Sequence, residues 1–367
     1  MYLDHFASAR TLLPAARARM QTLLFEGAGN PSSAHSEGRK ARKILREARA
    51  EVATALGASP DEVVFVSGVT EALATSVHGL LLPHRLRVVA CSQYEHSALR
   101  EALVDTGCKL DTFAYDSHGK PIGRVNAGLV AIALVNHETG MRASLDGVCA
   151  MASGAPVVVD AAQATAYARD VWADERVSAL CLSSHKIGGP TGAGALLVRK
   201  GLPFSPLLRG GPQEHELRAG TEAVLAAAGF ARALSSYLSD GPARVARLRA
   251  LTEQFEAGLK SLQAVRIVAD DRTRAPGVTA AYALAVPARG LVEDLDARGI
   301  RVGAGAACAA HTNEPSSVLT ALGLSRERAL EVFRVSFSGD ERSEDVTELV
   351  HILKDVIGKR RGSEGHS

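Results

Sequence analysis

Leu180-Cys-Leu-Ser-Ser-His-Lys186-Ile-Gly-Gly-Pro-Thr-Gly-Ala-Gly-Ala195 carries an apolar run into a lysine and then into a glycine-rich turn. Ser178 to Leu182 read as a buried strand, and polar Ser183, Ser184, His185 and Lys186 follow where that strand should surface. In open α/β sheets, ligands collect at the carboxyl ends of strands. A lysine held there and partly desolvated has a lowered pKa and can form a Schiff base with an aldehyde. Taken singly, a lysine beside a turn reads as a surface side chain. Its surroundings must overturn that.

Upstream, a second apolar strand ends in a carboxylate, Pro156-Val-Val-Val-Asp160-Ala-Ala-Gln163. Alone, an Asp after a valine run is commonly a helix cap or turn residue. As a pair with Lys186 it suits pyridoxal phosphate, which needs a lysine for its aldehyde and an acid against its pyridine nitrogen.

The rest of the chain supports a sheet for these two strands. Val63-Val-Phe-Val66 turns through Ser67-Gly-Val-Thr-Glu71 directly into a helix reaching Leu82. Such a turn offers backbone N–H groups and a helix N-terminus to an anion such as a cofactor phosphate, or it is simply a capped helix start. Leu86 to Ala90 reads as a strand leading to His96, whose ring could stack on an aromatic cofactor or be structural. Leu129 to Val135 is the most sheet-like run, and Gly194 to Val198 adds another strand. Alternation of such runs with helices implies a mostly parallel sheet covered on both faces. A helical stretch from Glu222 to about Leu262, broken near Gly241-Pro242, holds the expected domain boundary. Beyond it, strands over 265–268, 279–286 and 332–338, a helix over 290–297 and a last amphipathic helix through Val346, Leu349, Val350, Leu353, Val356 and Ile357 suggest a smaller α+β domain. The expected domains are 14–240, and 1–13 together with 241–367.

Composition bounds the function classes. At 367 residues the chain suggests about two domains. A formal charge of +2, from 42 basic and 40 acidic residues, gives no general case for nucleic acid or membrane binding. No continuous apolar stretch is long enough to span a bilayer, and Met-Tyr-Leu-Asp-His-Phe lacks the order of a signal peptide, so a cytoplasmic location is expected. The five cysteines form no CxxC pair and signal neither a disulfide framework nor a zinc site. Four read as small packing residues. Cys308, in Gly303-Ala-Gly-Ala-Ala-Cys308-Ala-Ala-His-Thr-Asn-Glu-Pro315, sits in a Gly/Ala run that leaves a thiol uncovered, unless it too is a small buried residue.

The chain resembles the pyridoxal phosphate-dependent cysteine desulfurases, within the class V aminotransferases of fold type I. The markers are Tyr2-Leu-Asp-His, Gly29-Asn-Pro-Ser-Ser-Ala-His35, Ser67-Gly-Val-Thr-Glu71, Glu95-His96, Asp160-Ala-Ala-Gln163, Ser183-Ser-His-Lys186, Arg218-Ala-Gly-Thr221, the Cys308 loop and Phe333-Arg-Val-Ser336. The resemblance implies a mostly parallel seven-stranded sheet with helices on both faces, plus the smaller α+β domain. It implies that Lys186 binds the cofactor covalently and transfers protons, that Asp160 faces the pyridine nitrogen, Gln163 the phenolic oxygen, and that His96 stacks on the ring. Val69, Thr70, Ser183, His185, and Thr221 from a partner subunit would hold the phosphate, which implies a homodimer. Arg334 would clamp the carboxylate of L-cysteine, and Cys308 would take its sulfur as a persulfide for a sulfur-acceptor protein. The loop length looks like that of the subgroup related to bacterial iron–sulfur and nitrogen-fixation enzymes.

The chain departs from that pattern at several places. His137 stands where the family usually has an Asn beside cofactor and substrate. Ala7-Ser-Ala-Arg10 and Glu71-Ala-Leu-Ala74 differ from the usual residues, and the C-terminus lacks the longer tail of some relatives. The competing readings are another fold type I reaction, such as selenocysteine lyase, C–S lyase or transaminase, and a noncatalytic scaffold.

Overall fold

The computed structural model describes residues 1–27, 29–84, 87–305 and 314–364. The elements are, in order, α1 (Pro14–Glu26), α2 (Ser36–Leu56), β1 (Val63–Val66), α3 (Val69–His84), β2 (Val88–Ser92), α4 (Ser97–Val104), β3 (Lys109–Tyr115) and β4 (Pro121–Ile122). Then come β5 (Leu129–Ala133), α5 (Leu145–Ala152), β6 (Val157–Asp160), α6 (Ala168–Ala173), β7 (Val177–Ser183), β8 (Gly194–Val198) and α7 (Val224–Ser239). The remainder holds α8 (Gly241–Lys260), β9 (Val265–Ile267), β10 (Val278–Ala283), α9 (Ala288–Asp296), β11 (Gly303–Ala304), α10 (Ser317–Ala321), α11 (Arg326–Leu330), β12 (Val332–Ser336) and α12 (Ser343–Glu364).

These residues form two compact units, Thr11–Leu134 with Ala143–Asp240, and Met1–Arg10 with Val135–Arg142 and Gly241–Ser367. The sequence expectation left residues 135–142 within the large domain and 11–13 within the small one. Both short segments group the other way, because a tight loop and a short irregular stretch before α1 carry no period that announces their neighbours.

The larger unit is built on a sheet in the order β1-β8-β7-β6-β5-β2-β3-β4. β3, β2, β5, β6 and β7 pair in parallel, whereas β8 is antiparallel to both β7 and β1. The sheet has eight strands where seven were expected. The eighth is the two-residue β4, which pairs antiparallel with the end of β3. Parallel strands need helical crossovers, and helices on both faces leave no polar side to the strands. Accordingly Val157, Val158 and Val159 are 1%, 0% and 0% exposed although they alternate in direction. On one face Leu73, Val77 and Leu80 of α3 pack against Val64, Val158, Cys181 and Leu196. α1, α2 and α7 pack on one another through Leu23, Ala41, Ile44, Val224 and Ala228.

The smaller unit carries the antiparallel sheet β11-β12-β10-β9. Val346, Leu349, Leu353, Val356 and Ile357 of α12 are buried in its core with Phe255, Leu259, Leu291, Leu295 and Phe333, as the helical spacing predicts. The N-terminal segment adds to this sheet through isolated bridges: Leu3 N–H donates to Arg301 O at 2.8 Å, and Ser336 N–H donates to Leu3 O at 2.8 Å. Among the described residues no helix is long and apolar enough to cross a membrane.

Candidate active site

In the larger unit the strand directions collect the sequence-selected residues at one edge of the sheet. Ser67 to Thr70 follow β1, His96 follows β2, Asp160 ends β6, and Ser183 to Lys186 end β7. Asp160 pairs in register with Cys181, so its carboxylate and the 183–186 turn leave neighbouring strand ends. Lys186 is half-buried in a single 3₁₀ turn over His185–Ile187. Gly188 ends that turn at φ +75°, and an added Cβ would lie 2.8 Å from Leu13 Cγ, so the close approach requires glycine. Burial, helped by the charge of Lys186, holds the His185 pKa below its ordinary value.

Asp160 is 7% exposed, and its Oδ1 accepts a bond from Ala162 N–H at 2.8 Å. His96 is the N-cap of α4, its Nδ1 accepting from Ala98 N–H at 3.0 Å. That bond puts the ring proton of the neutral imidazole on Nε2. Gln163 lies half-buried just beyond β6.

The β1–α3 turn approaches β8 closely. A Cβ on Gly194 would lie 2.6 Å from Leu182 O and 2.9 Å from Gly68 Cα, so only glycine lets these strands close up. Ser183 is the register partner of Gly194, and its Oγ is buried with no hydrogen-bond partner among the described residues. Space is open above Gly68, where an added Cβ would meet nothing within 4 Å. An orphaned hydroxyl, a small-residue turn and a helix N-terminus form a donor set suited to a phosphate. Together with a half-buried lysine and a strand-end carboxylate, they fit pyridoxal phosphate.

Thr221 lines a cavity of ≈ 130 Å³ with Ser67, Gly192, Gly194, Arg218 and Glu222. The segment leading to it is pinned twice. Glu71 accepts from Arg218 Nε at 2.7 Å and from Ser67 N–H at 2.8 Å. Buried Glu214 accepts from Arg49 at 2.8 and 2.7 Å and from Phe65 N–H at 2.7 Å. Glu214, His215 and Glu216 have φ of 47°, 58° and 65°, a left-handed run without glycine that the two anchors hold in place. Neither Glu214 nor Arg218 was singled out in the sequence for a role, because their partners lie far along the chain.

His137 and Arg334 belong to the smaller unit and meet there. Arg334, 3% exposed, donates to His137 O at 2.8 Å and to Asp4 Oδ1 at 2.7 Å. The loop is shaped by Asn136, whose Oδ1 accepts from Glu138 N–H, Thr139 N–H and Thr139 Oγ1. His137 Nε2 is 3.3 Å from Glu138 Oε1, which also accepts from Ser316 Oγ at 2.6 Å. Cys308 lies outside the described residues. Of the other thiols, burial pushes Cys91 up to about 12 and Cys149 up to about 11, and raises Cys181 further. These stay protonated and act as packing groups.

The family Aminotransferase class-V matches residues 1–349. A cysteine desulfurase of Cereibacter sphaeroides is 34% identical over 382 aligned positions, covering 98% of this chain and 96% of that protein. Among solved structures, a NifS-like protein is 26% identical with a TM-score of 0.87, covering 98% of this chain and 99% of the other. SspA, solved in complex with cysteine, is 26% identical with a TM-score of 0.77, covering 93% and 99%. The chain belongs to the class-V aminotransferase family, among its cysteine desulfurases.

Proposed function

We propose that the chain is a pyridoxal phosphate-dependent L-cysteine desulfurase that works as a cytoplasmic homodimer. The observation that carries this reading is the placement of Lys186 and Asp160 at adjacent strand ends, with the Ser183 hydroxyl, unpartnered among the described residues, beside the Gly68 turn. Its relatives in the family support the substrate. When bound, the cofactor supplies an electron-accepting ring that stabilises a carbanion.

Each residue then has a task set by its chemistry. Lys186 Nζ holds the cofactor's aldehyde and moves protons to and from the substrate carbons. Asp160 keeps the pyridine nitrogen protonated, Gln163 meets the phenolic oxygen, and His96 stacks on the ring. Val69, Thr70, Ser183 and His185 hold the phosphate, with Thr221 of the partner subunit. Arg334 binds the substrate carboxylate through charge-assisted bonds, with His137 beside it. The Cys308 thiolate attacks the substrate sulfur. The substrate Cβ–S bond breaks, its electron pair stays with carbon, and protonation gives alanine, leaving a persulfide on Cys308 for a sulfur-acceptor protein.

His137, with its Nε2 3.3 Å from Glu138 Oε1, favours one second reading: another reaction on the same scaffold. Product analysis of the loaded enzyme with L-cysteine separates the two. Alanine formed one for one with transferable sulfur is expected, whereas pyruvate or an exchanged amino group would replace the reading. Sedimentation as a dimer is the matching test of the Thr221 role.

A further inference from the structure

Glu95 is a buried carboxyl that the reaction above does not use. It sits on the turn between β2 and α4, immediately before His96, and is 5% exposed. One oxygen accepts from Ser92 Oγ on its own turn; the other accepts from Ala133 N–H at 2.7 Å. Ala133 ends β5 and is the register partner of Asp160. One side chain therefore spans from the turn that aims the His96 ring to the strand end flanking the Asp160 carboxylate. No lysine or arginine forms an ion pair with it among the described residues. Such a buried carboxyl is costly to desolvate when ionised, and a site lacking a use for it would be better filled by an apolar residue.

We propose that Glu95 is a positioning residue for the cofactor, bracing the His96 turn against the strand end beside Asp160 and so fixing the spacing between the stacking ring and the pyridine-facing acid. The inference rests on the reading of this site as a pyridoxal phosphate site. The titratable neighbours among the described residues include Asp160 on β6, Tyr115 on β3, Cys91 on β2, and Tyr94 and His96 on the same turn as Glu95. Tyr94 and Tyr115, both buried, stack with ring centroids 6.0 Å apart. Burial, reinforced by the negative charge of Asp160, pushes the Glu95 carboxyl up to about 8, with the Ser92 and Ala133 bonds opposing the rise. A neutral carboxyl at that place still accepts from Ala133 N–H on one oxygen and meets Ser92 Oγ through its own O–H on the other, without setting a second full charge beside Asp160.

Pyridoxal phosphate binding by the full chain tests this, read as the dissociation constant and as the pH midpoint of the absorption band of the lysine-bound cofactor. Glu95→Ala should bind at least about tenfold more weakly, with a displaced midpoint, because two buried donors lose their acceptor. Glu95→Gln keeps an oxygen for Ala133 N–H and should return affinity to within about threefold of the unaltered chain. Unchanged affinity and midpoint in Glu95→Ala would overturn the proposal, even if the protein melted earlier. Should Glu95→Ala fail to fold, Ser92→Ala carries the test: a smaller loss with a displaced midpoint supports the brace, and wild-type values overturn it. An unaltered chain that takes up no pyridoxal phosphate would instead sink the reading of the whole site.

Discussion

Glu71 shows how one carboxylate ties two parts of the site together. Its bonds to Arg218 and to Ser67 N–H join the β1–α3 turn to the segment carrying Thr221. Burial alone would raise its pKa, but the Arg218 and Ser67 bonds outweigh it and hold the carboxyl below the ordinary range. The lowered folded value means that this contribution to stability is full above the unfolded carboxylate pKa and is lost as pH falls through the folded one. Glu71→Gln should therefore be less stable by on the order of 1 kcal/mol at neutral pH, and the gap should close on acidification. Melting both proteins between neutral and acid pH checks this. A gap that stays constant through the carboxylate range would mean that the charge contributes nothing.

At the scale of the element, β8 holds an exacting position. Gly194 lies between Leu182 O and Gly68 Cα, so Gly194→Ala must push β8 or the β1–α3 turn apart. The expected cost is about 1–3 kcal/mol. Urea unfolding reads it directly, and a stability within about 0.5 kcal/mol of the unaltered chain would show that the contact yields freely. The same elements explain what was legible beforehand. β5, β6 and β7 stand out because strands covered on both faces are nearly continuous runs of Val, Leu, Ile and Ala. β3 does not, since Lys109-Leu-Asp-Thr-Phe-Ala-Tyr115 mixes exposed and buried positions near the sheet edge. The reversed direction of β8 left no mark either, because an apolar run reads alike in both directions.

Across the whole molecule, the sequence-selected residues are divided between two units whose segments alternate along the chain. Lys186, Asp160, Ser183 and His96 were recognisable because each follows a readable strand, and chemistry gathers at strand ends. Arg334 and His137 were recognisable only by resemblance. The Asp4–Arg334–His137 contact joins positions 4, 137 and 334, and no local pattern reports such a distance in sequence. Glu95 was visible as part of a motif, but its bond to Ala133 required the fold.

The central claim is that this chain takes sulfur from L-cysteine onto Cys308. The most direct test is mass spectrometry of the purified, cofactor-loaded protein after brief L-cysteine treatment without reductant, with alanine measured alongside. The account predicts one added sulfur on the peptide containing Cys308, absent without L-cysteine, and alanine in matching amount. Protein that binds pyridoxal phosphate yet leaves Cys308 unmodified and forms no alanine would contradict it.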